Sequence, residues 1–194
     1  FFTPKGEVDL CGHATIATFY LLAEKKLIRS GIYTQETKAG ILKLEIKKDK
    51  VVFMNKNPPA FFEKLDKHKI AKSLNISPKI IASDFPVQIV STGLRDIIIP
   101  IKSLKDLFKI KPNFKEVSVI SKKYNVVGYH LFTLETQFGS TAHCINLAPL
   151  YGIPEEAATG TSNGALSCYL FKYGIITKKQ AKKLLYFCFF VFCL

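Results

Sequence analysis

The sequence predicts an α+β fold of two similar domains, each with short strands wrapped around a central apolar helix. Two patterns carry this prediction. A Gly- and Thr-rich turn precedes an apolar helical segment at two places in the chain, and strand patterns of period two surround both segments. In addition, 48% of the 194 residues are hydrophobic, which is enough for one or two buried cores.

The first part of the chain reads as a turn, a helix and a hairpin. Residues 14–23, ATIATFYLLA, are apolar or small at nearly every position, so the helix after the Cys11-Gly12 turn is expected to be buried on all sides. Apolar residues then alternate with charged ones over 42–46. A polar turn at 48–50 and a second apolar stretch at 51–54 complete the predicted hairpin.

The second part of the chain begins at the proline break of 57–59 and ends on another apolar helix. A polar, Gly-rich turn at 158–164 leads into ALSCYLFKY, which is apolar almost all round, so this helix is also expected to be buried. Between these points the sequence predicts helical segments at 65–74, 103–108 and 114–124, and strands at 87–90, 97–101, 126–134 and 142–148.

The two helices imply two domains, with a boundary near position 50. Residues 1–50 form an incomplete N-terminal domain in this interpretation, and 51–194 form the C-terminal domain. The last eleven residues, 184–194, are uninterruptedly apolar and too few to span a bilayer as a helix, which takes about 20 residues. They are read either as a buried strand or, preferably, as an anomalous or truncated end.

Composition argues against several classes of protein. The net charge of +13 invites a nucleic-acid or membrane-surface interpretation, but the lysines are dispersed along the chain and only Arg29 and Arg95 offer bidentate phosphate contacts. The five cysteines form no CxxC pair and have no histidine at zinc spacing, so neither a disulfide framework nor a metal site is predicted. No signal peptide is recognisable, which makes the cytoplasm the expected location.

The two turns are candidate anion sites. A helix entered through Gly and small hydroxyl residues presents unpaired backbone N–H groups and the positive end of its dipole. Asp9, Cys11 and His13 lie at the first turn, and Glu155 and Glu156 lie before the second. Such groups suit acid–base chemistry. The alternatives stay open that Cys11 is a small core residue and that the glutamates are dipole partners at a helix start.

Two long motifs resemble the signatures of the phenazine-biosynthesis PhzF-like isomerase family. The first is DLCGHAT at 9–15, preceded by Phe-Thr-Pro at 2–4. The second is EAATGTSNGAL at 156–166, preceded by Ala-Pro at 148–149 and Gly-Ile at 152–153. STGLRD at 91–96 resembles a third, weaker family segment. The resemblance runs from Phe1 to about Tyr173.

This resemblance implies a diaminopimelate-epimerase-like fold with the active site in the cleft between two pseudo-symmetric domains. It also implies catalysis without metal or organic cofactor, and a homodimer. Residue by residue, it assigns proton handling or substrate contact to His13, a carboxylate role to Glu156, and a low-ranking role to Cys11. The remaining residues that it assigns, as a substrate-binding anion cradle, are Gly12, Thr159, Gly160 and Thr161.

Departures from the family pattern qualify these expectations. The family usually has Asp-Pro where this chain has Glu156-Ala157, and Thr159 stands where thiol-pair epimerases carry their second cysteine, so a two-thiol mechanism is not expected. The family's principal catalytic glutamate falls before Phe1, and the closing segment after Tyr173 is unrecognisable. The chain is therefore expected to be truncated at both ends.

The sequence as a whole predicts a cofactor-independent isomerase that transfers a proton at a carbon of a small carboxylate-bearing molecule. Neither nucleic acid nor membrane is an expected partner. The alternative is a non-catalytic or truncated relative that acts at most as a small-molecule or protein-binding module.

Overall fold

A computed structural model describes residues 1–3, 6–54, 57–156 and 159–181. The apolar stretch at 184–194 lies outside the described residues. The helices are α1 (Gly12–Glu24), α2 (Lys67–Ser73), α3 (Leu104–Lys109), α4 (Phe114–Tyr124) and α5 (Gly160–Lys172). The strands are β1 (Phe2–Thr3), β2 (Gly6–Glu7), β3 (Gly31–Thr37), β4 (Gly40–Ile46), β5 (Val52–Met54), β6 (Ala60–Lys64), β7 (Gln88–Ser91), β8 (Arg95–Pro100), β9 (Gly128–Thr133), β10 (His143–Ala148) and β11 (Ile153–Glu156).

The first helix packs on a three-stranded antiparallel sheet in the order β3-β4-β5. The predicted hairpin is confirmed as β4 and β5, in which Leu44 pairs with Met54 and Ile46 with Val52. Leu44 and Ile46 join Ala23 of α1 in a small apolar core. Because successive strand residues point to opposite faces, the alternation read in the sequence places these side chains on the α1 side.

The second helix of the predicted pair, α5, lies on a larger sheet of six strands in the order β11-β10-β9-β8-β7-β6. All neighbours in this sheet are antiparallel except β8 and β9, which run parallel and are connected through α3 and α4. One face carries a core shared with α2, α3 and α4, and the other face carries a core shared with α5. The continuous apolar run of β8 follows from this burial on both faces.

The mixed architecture confirms the predicted α+β fold class, but α1 differs from its prediction. Ten of the thirteen residues of α5 are buried, as expected. In α1 only Gly12, Thr15 and Ala23 are buried, whereas Tyr20 and Leu21 are 50% and 54% exposed. The prediction that α1 is buried on all sides is therefore wrong for the described structure, because the three-stranded sheet covers only one side of the helix.

The polar segment at 158–164 is mostly helix and not turn. Thr159 is the N-cap of α5, and its hydroxyl oxygen accepts a hydrogen bond from the Ser162 backbone N–H at 3.4 Å. This cap lets the helix begin at Gly160 despite two glycines in its first turns. The expectation that Glu155 and Glu156 lie at a helix start is also wrong, because both residues belong to the edge strand β11.

Strands β3, β6 and β11 were not predicted as elements. The first shows only weak apolar alternation, the second is mostly exposed or half-buried, and the third contains Pro154, which an edge strand tolerates. Strand β5 lies after the predicted domain boundary at position 50 and pairs with β4, which lies before it. The division into two domains stays a prediction.

Within the described ranges, no helix is both long and apolar enough to cross a membrane.

Candidate active site

The N-terminal ends of α1 and α5 open into one cavity of about 400 Å³. Strands β8, β10 and β11 of the six-stranded sheet and the start of α5 form one side of its wall. Strand β1, the segment before α1 and the start of α1 form the other side. The residues lining this cavity are Phe1, Phe2, Val8, Asp9, Leu10, Cys11, Gly12, His13, Ala14, Leu94, Asp96, Val127, Asn146, Ala148, Tyr151, Ile153, Glu156, Thr159, Gly160, Thr161 and Ser162.

Both helix ends have the chemistry of anion sites. No side chain caps α1 and no acidic residue lies in its first turn. The positive end of its dipole is therefore not neutralised by a negatively charged side chain of the helix itself. The first turn of α5 also lacks an acidic residue. Two converging helix N-termini in one cavity can hold a carboxylate and stabilise negative charge that develops next to it.

A thiol and an imidazole lie together at the α1 end. The Cys11 Sγ is 3.5 Å from Nε2 and 3.9 Å from Nδ1 of His13. Cys11 is half-buried, whereas His13 is exposed toward the cavity and to solvent. The Thr15 hydroxyl donates to the Cys11 carbonyl at 2.9 Å, which fixes the backbone from which both side chains project.

The carboxylate of Glu156 comes from the opposite part of the wall. Glu156 ends β11 and pairs with Asn146 of β10, so the sheet fixes its position against the cavity. Glu155 is exposed and does not line the cavity, since neighbouring strand residues point to opposite faces. The structure thus separates the two adjacent glutamates and places Glu156, to which the resemblance assigned a role, against the cavity.

All seven predicted site residues line this cavity. They are His13, Glu156, Cys11, Gly12, Thr159, Gly160 and Thr161. Segment 91–96, the third and weaker resemblance, reaches the same place, because the Thr92 hydroxyl donates to the Thr161 carbonyl at 3.4 Å. The structure brings the predicted residues together, and their chemical roles stay predictions.

Asp96 is a site residue that the sequence did not single out. It begins the buried part of β8, is 1% exposed and lines the cavity. Burial raises the pKa of its carboxyl from 3.8 to about 7, while the nearby Ser162 hydroxyl and Gly128 backbone act to lower it. Burial outweighs these two donors, neither of which makes a well-directed hydrogen bond to the carboxyl oxygens. The available signal was an aspartate directly before the apolar run at 97–101.

A buried imidazole supports the wall behind Asn146. His130 of β9 has Nδ1 3.1 Å from the Asn146 Oδ1 and Nε2 3.1 Å from the Asn163 amide. Burial lowers the pKa of His130 to about 4, which keeps the ring neutral near pH 7. A neutral imidazole donates one hydrogen bond and accepts the other, so one of the two amides presents its NH2 group to the ring. The hydrogen bond between His130 and Asn146 therefore fixes one polar group of the cavity wall.

Comparison with known proteins identifies the family. The family described as phenazine biosynthesis-like protein matches residues 1–187. The chain belongs to this family. It is 39% identical over 178 residues to an uncharacterized isomerase of Clostridium acetobutylicum, covering 88% of this chain and 59% of that protein. An uncharacterized isomerase of Bacillus subtilis is 35% identical over 181 residues, covering 90% of this chain and 62% of that protein.

Solved structures agree with this family assignment. The Bacillus anthracis phenazine biosynthesis protein of the PhzF family superposes with a TM-score of 0.77 at 30% identity, covering 89% of this chain and 60% of that chain. A hydroxyproline epimerase from Agrobacterium vitis, at 14% identity and a TM-score of 0.55, shares the fold, with 90% of this chain and 55% of that one covered. The chain thus spans about 60% of the length of the curated relatives named above.

Proposed function

We propose that the cavity between α1 and α5 is the active site of a cofactor-independent isomerase. The reaction is a proton transfer at a carbon atom of a small molecule that carries a carboxylate. One observation carries the proposal: two helix N-termini, an imidazole and a carboxylate from different elements line the same cavity. The isomerase names of the relatives in Clostridium acetobutylicum and Bacillus subtilis support the reaction class.

The helix ends supply the binding step. The substrate carboxylate lies against backbone N–H groups at the start of α1 and α5, including those around Gly12 and Thr161. When a proton leaves the neighbouring carbon, negative charge spreads toward this carboxylate. Preorganised N–H groups stabilise that charge more strongly inside a partly closed cavity than water does. Binding and rate acceleration then come from the same two elements.

The side chains on the wall supply or position the proton carriers. His13 and Glu156 belong to α1 and β11, so they can approach a bound molecule from different sides. General acid–base catalysis needs such a pair within hydrogen-bond reach of the reacting carbon. The resemblance implies that a further glutamate of the family carries the main transfer, with His13 and Glu156 orienting the substrate or assisting.

Further predictions accompany this proposal. Catalysis is expected to need no cofactor, the protein is expected to form a homodimer, and its expected location is the cytoplasm. The division into domains at 1–50 and 51–194 is likewise a prediction. Membership of the family supports the proposal that the protein acts on a small molecule.

Exchange of carbon-bound hydrogen tests the proposal. The complete polypeptide that the gene encodes is incubated in heavy water with cyclic and amino carboxylic acids, and deuterium at carbon is followed by NMR. His13→Gln and Glu156→Gln should each slow exchange by at least about tenfold. His68→Gln and Glu155→Gln are matched controls, because both side chains are exposed and neither lines the cavity. Unchanged exchange in both cavity variants would refute the roles assigned to them.

A further inference from the structure

We propose that Asn146 is a further ligand-binding residue of the cavity, whose side-chain NH2 group donates a hydrogen bond to a carboxylate oxygen of the bound molecule. Buried His130 and Asn163 are the positioning residues that turn this amide toward the cavity. The inference rests on the proposed function, because it takes the ligand carboxylate to lie at the helix N-termini.

The register of the six-stranded sheet places three polar side chains in one row. Asn146 of β10 lies directly opposite His130 of β9 on one side and Glu156 of β11 on the other. Residues directly opposite each other carry their side chains on the same face of a sheet. Asn146 and Glu156 line the cavity, whereas His130 is fully buried. The amide of Asn146 therefore lies between a buried imidazole and the cavity.

Both ring nitrogens of His130 have an asparagine amide as neighbour. Nδ1 is 3.1 Å from the Asn146 Oδ1, and Nε2 is 3.1 Å from the Asn163 Oδ1. A neutral ring has only one N–H, so one of the two amides must present its NH2 group instead. With its oxygen toward the ring, Asn163 has a buried Nδ2 that finds no partner among the described residues. Turning this amide pairs that donor with Nε2 and leaves an oxygen in its place, which is the less costly group to leave unpaired.

This assignment fixes both the tautomer of His130 and the direction of the Asn146 amide. Because Nε2 accepts a hydrogen bond from Asn163, Nδ1 carries the proton and donates it to the Asn146 Oδ1. The oxygen and the NH2 group of an amide point to opposite sides, so an oxygen turned toward β9 turns the NH2 group toward β11 and the cavity. The NH2 group has two N–H donors, so a ligand can take one even where Glu156 takes the other.

The Asn146 donor adds to the backbone donors of α5. Thr161 and Ser162 line the cavity in the first turn of this helix, and the next residue, Asn163, contacts His130. The same helix therefore presents backbone N–H groups and, through the imidazole, orients the Asn146 amide. Donors that are fixed in advance stabilise charge that develops on an oxygen without a cost of reorganisation.

Two NMR measurements on the complete, isotope-labelled polypeptide near neutral pH test the inference. Long-range proton–nitrogen correlations of His130 report which ring nitrogen carries the proton, and Nδ1 is the expected one. The side-chain NH2 signals of Asn146 are then followed while cyclopentanecarboxylate is added, and they should shift as the acid binds. The NH2 signals of Asn57 are the control and should stay in place, since Asn57 is exposed and does not line this cavity.

Titration calorimetry with the same acid measures the contribution of the amide. Asn146→Leu should bind cyclopentanecarboxylate at least about tenfold more weakly than the parent, the loss expected for one hydrogen bond to a charged group, and Asn57→Leu should bind it as the parent does. An Nε2–H tautomer of His130, or Asn146 NH2 signals that stay in place while the acid binds, would overturn the role of Asn146 and leave the proposed function intact. Failure of the acid to bind the parent would contradict the carboxylate site at the helix ends and therefore both proposals.

Discussion

Replacing Asp96 with asparagine should change how the stability of the protein depends on pH. In the folded protein this carboxyl keeps its proton up to a pKa of about 7, whereas its ordinary value is 3.8. Between these two values the folded state holds a proton that the unfolded state has released. Stability that comes from this group is therefore complete below about pH 4 and is lost as pH rises toward 7.

The size of the effect follows from the pKa difference. About three units at roughly 1.4 kcal/mol each give on the order of 4 kcal/mol, as an upper bound for a fully buried group. Asparagine has nearly the same shape and no charge, so Asp96→Asn does not lose this stability as the pH rises. Relative to Asp96→Asn, the parent should become less stable by about 1.4 kcal/mol for each pH unit between about 4 and 7, and the difference should then level off.

Urea unfolding at intervals from pH 4 to 8 measures this difference directly. Buried His130, whose pKa is lowered to about 4, acts in the opposite direction, but it is present in both proteins and cancels in the comparison. Asp84→Asn is the control and should follow the parent curve, since that side chain is exposed. Parallel curves for the parent and Asp96→Asn would refute the reasoning that burial raises the pKa of Asp96 in the folded protein.

Three further substitutions test the framework around the cavity. Gly128→Ala should destabilise the protein by more than about 3 kcal/mol in urea unfolding, because a methyl group would overlap the Leu147 carbonyl of β10. Gly31→Ala is the control and should be tolerated, because its methyl group would make only an ordinary van der Waals contact. Thr159→Ala should cost about 1 kcal/mol through loss of the α5 cap, and Thr159→Ser should restore it. His130→Leu should cost about 2 kcal/mol or more, because it leaves two buried asparagine amides without their partner, and an equally stable variant would contradict the hydrogen bonds assigned to this ring.

Much of the fold could be predicted because its elements have strong local patterns. The alternation in β4 and the apolar runs of β8 and α5 follow from which faces are buried, and that information is local. The exposure of α1 could not be read in the same way. Its composition suits burial all round, but how much of it is covered depends on the number of strands that pack on it, which is a property of the sheet and not of the helix.

The candidate site was predictable where the two long motifs carry it. Cys11, His13 and Glu156 stand in two recognisable motifs, so they could be named before their convergence was known. Asp96 and His130 lie at strand positions whose neighbours come from other elements. Their importance depends on the register of β8, β9 and β10 and on where α5 begins, and this register is not visible in one sequence.

The exchange of carbon-bound hydrogen in heavy water tests the central claim most directly. With the complete polypeptide and an acid that binds in the cavity, the account predicts deuterium incorporation at a carbon atom next to the carboxylate, with a rate that falls at least about tenfold in Glu156→Gln and not in Glu155→Gln. Tight binding without any incorporation would contradict the isomerase and favour a protein that only binds its ligand.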